Sequence, residues 1–361
     1  MKIKILDRYV FTKFIASFLF VVFALTAVIC VIDFTEKNDD FIRSQPGIKK
    51  IIFSYYFNFI PYITNMLSPI TVFIATVFVT ARLASRTEII AILNSGVSFV
   101  RFLVPYIAGS SIIGLCIFGL NSFIIPHSNA KRVGFELQYL KQKFNYEARN
   151  VHIKVAPETY AYLESYNNQS DIGYQFTLET VRNGALISKL KSERITWVPA
   201  IKKWRVEDYS LRQIDTAGEE TYTKGTNIDT TLRILPKDFA STYLLYETLS
   251  TPELNAHISE MEARGADDIM AYRIEKYLRL TYPFAILILT LIGVILSARK
   301  SREGAGFQIA LGFALAFIYI IFFIMSRSIA QAGSIDPLLA CWLPNIVFSC
   351  IGLLLYNTVP R

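Results

Sequence analysis

Long apolar runs alternate with short polar stretches along this chain, and one internal region follows a different period. Six apolar runs reach the length of about 20 residues that a helix needs to cross a bilayer. They cover Phe11 to Phe34, Ile51 to Leu83, Phe99 to Ile125, Tyr277 to Ser297, Ala305 to Gln331 and Pro337 to Asn357. Residues 150–235 instead alternate apolar and polar positions, as in Val151, Ile153 and Val155, which indicates half-buried strands. Within them, "RITWVPAIKKWRVEDYSLRQI" predicts two strands joined by a turn near Pro199 to Lys203.

These periods predict a membrane α-helical protein with six transmembrane helices. An antiparallel β domain of sandwich or jelly-roll type is inserted between helices 3 and 4. Three regions follow: residues 1–125 with helices 1–3, residues 126–270 with the β domain and its helical connectors, and residues 271–361 with helices 4–6. The segment "YQFTLET" places Tyr174, Phe176 and Leu178 on one face. That face predicts either an assembly module or a groove for lipid chains, in which Phe176 and Leu178 are the candidate residues.

Composition and charge fix the class and the orientation. The 361 residues are 53% hydrophobic and 18% charged, too apolar for a soluble protein of this length. Basic residues concentrate on one set of short loops, which predicts that both termini are cytoplasmic and that residues 126–270 are periplasmic. The loops that carry this signal hold Lys2, Lys4, Arg8, Lys13, Arg82, Arg86, Arg101, Arg299, Lys300, Arg302 and Arg361. The net charge of +8 therefore mainly reflects the membrane topology. Nucleic-acid binding is not predicted, because the sequence shows no basic face on a soluble domain.

The residues that carry common enzyme chemistry do not form a pattern here. No Gly precedes a Lys, so the chain has no P-loop, and it has no H-E-x-x-H or G-x-S-x-G motif. All four cysteines lie in apolar runs, which predicts no disulfide and no metal site. We therefore predict no catalytic residue, no metal and no cofactor bound by this chain. A membrane glycosyl or acyl transferase would need clustered carboxylates or histidines, and the sequence predicts none.

One short charged stretch, "RLASRTEIIAILNSGVS", separates the second and third runs. Ser85 and Glu88 have the S-x-x-E spacing of a capping box, and Gly96 is a stop signal, so a helix is predicted within about residues 84–97. Two interpretations remain open. In the first, Glu88 only caps an interfacial helix. In the second, the helix couples to a cytoplasmic ATPase through a ridge of Ile89, Ile92 and Leu93, with Arg86 and Glu88 fixing its orientation.

The same stretch resembles the coupling helix of the LptF/LptG permeases. The resemblance continues in "LDRYV" before the first run, in "YRIEKYLRLTYPFAILILTLIGVILSARKSREG" and in "WLPN", and it covers nearly the whole chain. It implies an inner-membrane subunit of the lipopolysaccharide exporter of Gram-negative bacteria, closer to LptG than to LptF. The implied partners are an LptF-like permease, an LptB-like ATPase dimer that holds ATP and Mg, LptC-like and LptA-like bridge proteins, and lipopolysaccharide.

The resemblance implies a mechanical cycle, in which ATP closes the ATPase dimer and the cavity between two permeases collapses. Phosphates of the lipid would need cations at the outer rim of that cavity. The candidate rim residues are Lys37, Lys49, Lys50, Arg279 and Arg327, and the alternative for each is an interfacial snorkelling side chain. Some family members carry a lysine in the outer part of span one, where this chain has Asp33. A mechanotransmitting permease that moves no lipid is the second interpretation of the function.

Overall fold

The computed structural model of the chain describes residues 4–141, 149–215, 218–239, 243–264, 269–298 and 305–357. Five basic residues used to predict the orientation lie outside these ranges: Lys2, Arg299, Lys300, Arg302 and Arg361. The described residues form two compact units. The membrane unit comprises Met1–Leu140, Leu244–Ile258 and Asp267–Arg361, and the β unit comprises Lys141–Tyr243 and Ser259–Ala266.

Nine α-helical elements occur in the part of the chain that the structure describes. They are α1 (Ile5–Ser44), α2 (Ile48–Ser85), α3 (Glu88–Asn94), α4 (Phe99–Leu140), α5 (Leu245–Thr248), α6 (Thr251–Arg264), α7 (Ile269–Ser297), α8 (Ala305–Gln331) and α9 (Pro337–Tyr356). Six of them, α1, α2, α4, α7, α8 and α9, are long and apolar enough to cross a membrane. The six predicted spans are therefore confirmed as helices of sufficient length and composition.

Several helices extend well beyond the apolar runs that predicted them. Apolar residues mark only the part of a helix that contacts lipid, whereas backbone hydrogen bonds continue into polar turns. The third span is the clearest case, because α4 continues through π-helical turns at Leu120–Ile124 and Glu136–Leu140. Residues 126–140 consequently pack with the membrane unit, which differs from the predicted domain boundary at residue 126.

Close helix contacts in the membrane unit depend on small residues. Val10 and Phe14 of α1 are fully buried against a core that includes Tyr106 of α4 and Ile286 of α7. Gly109 in α4 lies under the Phe14 ring, so that a Cβ added there would be 2.7 Å from Phe14 Cδ1. A small residue at the crossing point lets two membrane helices approach closely. Close approach matters because van der Waals packing, and not the hydrophobic effect, drives helix association in lipid.

The described residues of the β unit include one antiparallel sheet of seven strands. The strands are β1 (Val151–Ala156), β2 (Thr159–Leu163), β3 (Ser165–Asn167), β4 (Ile172–Arg182), β5 (Ala185–Val198), β6 (Lys203–Ile214) and β7 (Glu220–Thr230). Their order is β1-β2-β4-β5-β6-β7, and β3 also pairs with β4. The sequence therefore predicted an antiparallel β domain correctly, together with the turn between β5 and β6. The order is that of a meander, and the predicted jelly-roll topology is not confirmed.

The alternation of buried residues breaks along one line across the sheet. Gly173 and Phe176 are buried in β4, and Ile195 and Ser192 are buried in β5, so successive inward positions are three residues apart at this line. Gln175 adopts a positive φ of 52° between them, which kinks the strand locally without changing its pairing register with β5. Tyr174 is therefore exposed rather than on the face of Phe176 and Leu178, and the prediction that all three share a face is wrong for Tyr174.

Candidate functional site

The short helix predicted within about residues 84–97 is present as α3, but its start differs from the prediction. Ser85 is the last residue of α2, and its hydroxyl donates a hydrogen bond to the carbonyl of Arg82 at 2.9 Å. Thr87 precedes α3 with a left-handed backbone (φ 60°), and no side chain caps the helix. The predicted capping box is wrong because only two residues separate the helices, so Ser85 is still helical, whereas an N-cap residue has non-helical torsions.

Glu88 connects α3 to the beginning of α1. Its Oε2 accepts a hydrogen bond from the Tyr9 hydroxyl at 2.8 Å, and Lys13 Nζ lies 3.9 Å from the same oxygen. Lys13 also donates to the Tyr9 hydroxyl. The carboxylate that the sequence assigned to a cap or to an ATPase contact is thus held by two side chains of the first span. Nothing in the sequence spacing of Tyr9 and Glu88 indicates this contact.

The apolar residues of α3 divide between the core and the surface. Ile89 is 1% exposed and belongs to the core that contains Val10 and Phe14, so a role for Ile89 in a surface ridge does not fit its position. Ile92 and Leu93 are half-buried against the same core. Between Arg86 and Asn94, the exposed positions are Arg86, Thr87, Ile90, Ala91 and Asn94. Ile90 lies in the apolar run of the predicted helix but was not among the predicted contacts.

Two of the five candidate rim cations are used inside the membrane unit. Arg279 is 3% exposed and donates to Glu275 at 2.9 Å, to the Leu249 carbonyl at 2.9 Å and to the Tyr246 carbonyl at 3.3 Å. This guanidinium fixes the segment before α6 against α7 and has little capacity left for a phosphate. Lys37 donates to Asp33 at 2.7 Å and to the Tyr55 hydroxyl.

The other three candidate cations are less constrained. Lys50 donates to the Tyr139 hydroxyl at 2.8 Å. Lys49 is exposed, and within the described ranges it has no hydrogen-bond or ion-pair partner. Arg327 is half-buried in α8 and, over the same ranges, donates no hydrogen bond and has no carboxylate within 4 Å.

A buried ionic ladder that the sequence did not predict joins α1, α4 and α5. It is defined by Asp33, Lys37, Glu136, Arg132 and Glu247. Lys37 lies 2.7 Å from Asp33 and 3.8 Å from Glu136, while Arg132 lies 3.0 Å from Glu136 and 2.7 Å from Glu247. The absence of clustered carboxylates was a wrong prediction, because residues far apart in sequence meet here. The i, i+4 pairs within α1 and α4 were the available signal.

Burial disfavours the charged form of Glu247. Burial raises the pKa of its carboxyl from 4.5 to about 7, because desolvation penalises the anion more than the Arg132 guanidinium stabilises it. Arg327 also favours the anion, whereas Glu275 and Glu136 disfavour it. Each carboxylate of the ladder has a cationic neighbour, which is the arrangement of a structural network.

The two candidate groove residues occupy different environments. Phe176 is 1% exposed in the sheet core, and Leu178 is half-buried beside it. A surface cavity of about 630 Å³ opens where the alternation breaks. Phe176 and Tyr209 form its apolar part, and its other lining residues are mainly polar or charged, including Lys191 and Lys224. Across the described residues, no group of three His, Cys, Asp or Glu side chains is placed to hold a metal ion.

The sequence profile described as "Lipopolysaccharide export system permease LptF/LptG" matches residues 8–358. A comparison with curated proteins found no match. The family match covers the six spans, α3 and the β unit, and it does not distinguish the two permease types that its description names.

Proposed function

The chain belongs to the LptF/LptG family of lipopolysaccharide export permeases, and from that premise we propose that it is one permease subunit of an ABC transporter. The subunit extracts lipopolysaccharide from the inner membrane and passes it to a periplasmic bridge. An LptF-like permease pairs with it, an LptB-like ATPase dimer supplies the energy with ATP and Mg, and LptC-like and LptA-like proteins form the bridge. Both termini and α3 are cytoplasmic, and the β unit is periplasmic. The subunit type is LptG.

The attachment of α3 to α1 carries this proposal. Tyr9 and Lys13 hold Glu88, and Ile89 packs with Val10 and Phe14. A displacement of α3 by an ATPase therefore moves the cytoplasmic end of the first span. The face presented to the ATPase contains Arg86 and Ile90, with Ile92 and Leu93 supporting it from the core side.

A substitution pair tests which face of α3 meets the ATPase. Ile90→Glu places a charge at the centre of the exposed face, and we expect co-purification of the ATPase to fall by at least tenfold. Ile201→Glu is the matched control, because Ile201 is 44% exposed and Ile90 is 43% exposed. Equal co-purification of the ATPase by both variants contradicts the assignment of this face.

Transport itself is tested in proteoliposomes that contain the chain, its paired permease and the ATPase. We expect ATP-dependent release of lipopolysaccharide to an acceptor only when all three are present, and no ATP hydrolysis by the chain alone. A photo-crosslinker at Leu178 is expected to capture glycolipid during turnover, whereas one at the exposed Tyr174 is not. Hydrolysis without lipid release in the complete assembly contradicts export and favours mechanotransmission.

The outer rim of the transport cavity is proposed to use Lys49 and Arg327. Neither cation has a carboxylate within 4 Å among the residues that the structure describes, so an anionic phosphate gains a charge-assisted contact without breaking a direct ion pair. Arg327→Gln is expected to reduce lipopolysaccharide release more than Arg279→Gln reduces it at equal protein level. The reverse order would assign the rim to Arg279.

A further inference from the structure

A cavity of about 520 Å³ lies between the first turns of α2 and the last turns of α4. Its walls include Lys50, Phe53 and Ser54 from α2, and Lys131, Gly134 and Tyr139 from α4. Both walls are partly π-helical, over Ile51–Tyr56 and Glu136–Leu140. π-helical turns are rare and occur frequently at functional sites, and here two of them flank the same cavity.

The charge of the cavity is uncompensated. Lys50 and Lys131 contribute two ammonium groups, and no acidic side chain lines the cavity. Lys50 donates to the Tyr139 hydroxyl at 2.8 Å, which holds its ammonium at the wall. Within the described part of the chain, neither lysine has a carboxylate within 4 Å. Two cations from two helices, with serine and tyrosine hydroxyls beside them, suit a phosphate group.

The position of the cavity along α2 indicates that the phosphate belongs to a lipid. The 38 residues of α2 extend over about 57 Å at 1.5 Å per residue, whereas a bilayer with its headgroups is about 40–45 Å thick. The first turns of α2 therefore reach the headgroup layer. Phe53 lines the cavity, and Phe57 and Ile60 continue the same helix face with 70% and 43% exposure. This i, i+4, i+7 stripe offers an apolar path for an acyl chain.

We propose that this cavity binds the phosphate headgroup of one bilayer phospholipid between Lys50 and Lys131, with an acyl chain along Phe53, Phe57 and Ile60. The volume and the two cations fit a single phosphodiester. The lipid is a bound component of the membrane unit and is distinct from the glycolipid that the transporter exports.

Two substitutions remove the site by different means. Lys131→Glu reverses one of its charges. Gly134→Leu fills its space, since an added Cβ at Gly134 meets no atom within 4 Å and Gly134 lines the cavity. Their matched controls are Arg43→Glu, an exposed cation of α1 that is not part of the lining, and Gly119→Leu, an equally open glycine of α4 outside the cavity. Lys131→Arg keeps the charge and is expected to keep binding.

Binding is measured by native mass spectrometry of the full-length chain in detergent, titrated with dioleoyl phosphatidylglycerol. We expect an apparent Kd about tenfold weaker for Lys131→Glu and for Gly134→Leu, and wild-type binding for the two controls and for Lys131→Arg. The proposal is overturned if the controls lose binding equally or if all variants bind as the wild type does. Equal binding of dioleoylglycerol, which lacks a phosphate, also overturns it.

Two further titrations identify the source of the phosphate. Inorganic phosphate is expected not to displace the lipid at equimolar concentration, because it lacks the acyl chains, and displacement would assign the site to free phosphate. Lipopolysaccharide at equal concentration is also expected to leave the phospholipid bound. Displacement by lipopolysaccharide would place the cavity on the export route and contradict a separate lipid site, whatever the outcome of the transport assays.

Discussion

Removing Arg132 is expected to destabilise the membrane unit by an amount that depends on pH. The Arg132 side chain is 5% exposed and donates to Glu136 at 3.0 Å, to Glu247 at 2.7 Å and to Asn129 at 3.3 Å. Arg132→Met keeps most of the volume but leaves a buried carboxylate without its cation. Breaking a buried ion pair in this way costs about 3–5 kcal/mol. Glu136 retains Lys37 at 3.8 Å, so the unpaired group is mainly Glu247.

The pH dependence follows from the pKa of Glu247. Burial already raises it to about 7, and Arg132 acts in the lowering direction, so the Arg132→Met substitution raises the pKa further. Above pH 7 the variant retains a proton that the wild type has lost. The destabilisation is therefore expected to grow by about 1.4 kcal/mol per pH unit above 7, up to the new pKa, and to be constant near pH 6.

The assay is SDS-induced unfolding in mixed micelles at pH 6, 7 and 8, with hydrogen exchange to follow the amides of α5. Arg132→Met/Glu247→Gln is the matched double variant. It removes the unpaired charge, and it is expected to recover part of the stability and to lose the pH dependence. A cost for Arg132→Met that is flat from pH 6 to pH 8, or a double variant no more stable than the single one, would refute the reasoning.

Four further outcomes are expected. The wild-type membrane unit should lose stability as pH rises from about 4.5 to about 7, because over that range Glu247 is protonated in the folded state and deprotonated in the unfolded state. SDS-induced unfolding at stepped pH checks this expectation. Tyr9→Phe removes the hydroxyl that donates to Glu88 and should weaken hydrogen-exchange protection of α3 by about 0.5–1.5 kcal/mol, whereas unchanged protection would leave α3 independent of α1. Ser85→Ala should change the free energy of unfolding by less than about 0.5 kcal/mol, and a larger loss would restore the capping role. Gly109→Ala should cost about 1–3 kcal/mol because of the Phe14 ring, while Gly119→Ala, with no atom near its added Cβ, should cost nothing in the same unfolding assay.

Periodicity alone determined the class of this protein. Apolar runs near 20 residues predicted six helices of spanning length, since a helix in lipid must satisfy its own backbone and present apolar side chains. The alternation in Val151, Ile153 and Val155 likewise predicted a strand, and the turn near Pro199 predicted the hairpin of β5 and β6. These are local properties, and each depends on residues within one turn or one strand pair. The ends of the helices were less predictable, because polar turns of α4 continue to Leu140.

Tertiary structure alone decided which polar side chains meet. Glu88 and Tyr9 are 79 residues apart, and Arg132 and Glu247 are 115 apart. No spacing rule reaches that far, because rules for side-chain pairs describe neighbours on one helix or in one strand pair. Burial also separates the two candidate arginines. Arg279 is 3% exposed and uses its N–H donors within the protein, whereas Arg327 in α8 donates no hydrogen bond among the described residues. Two arginines that the sequence pattern placed in the same class therefore differ in their contacts: Arg279 donates to other residues of the membrane unit, whereas Arg327 donates no hydrogen bond within the described ranges.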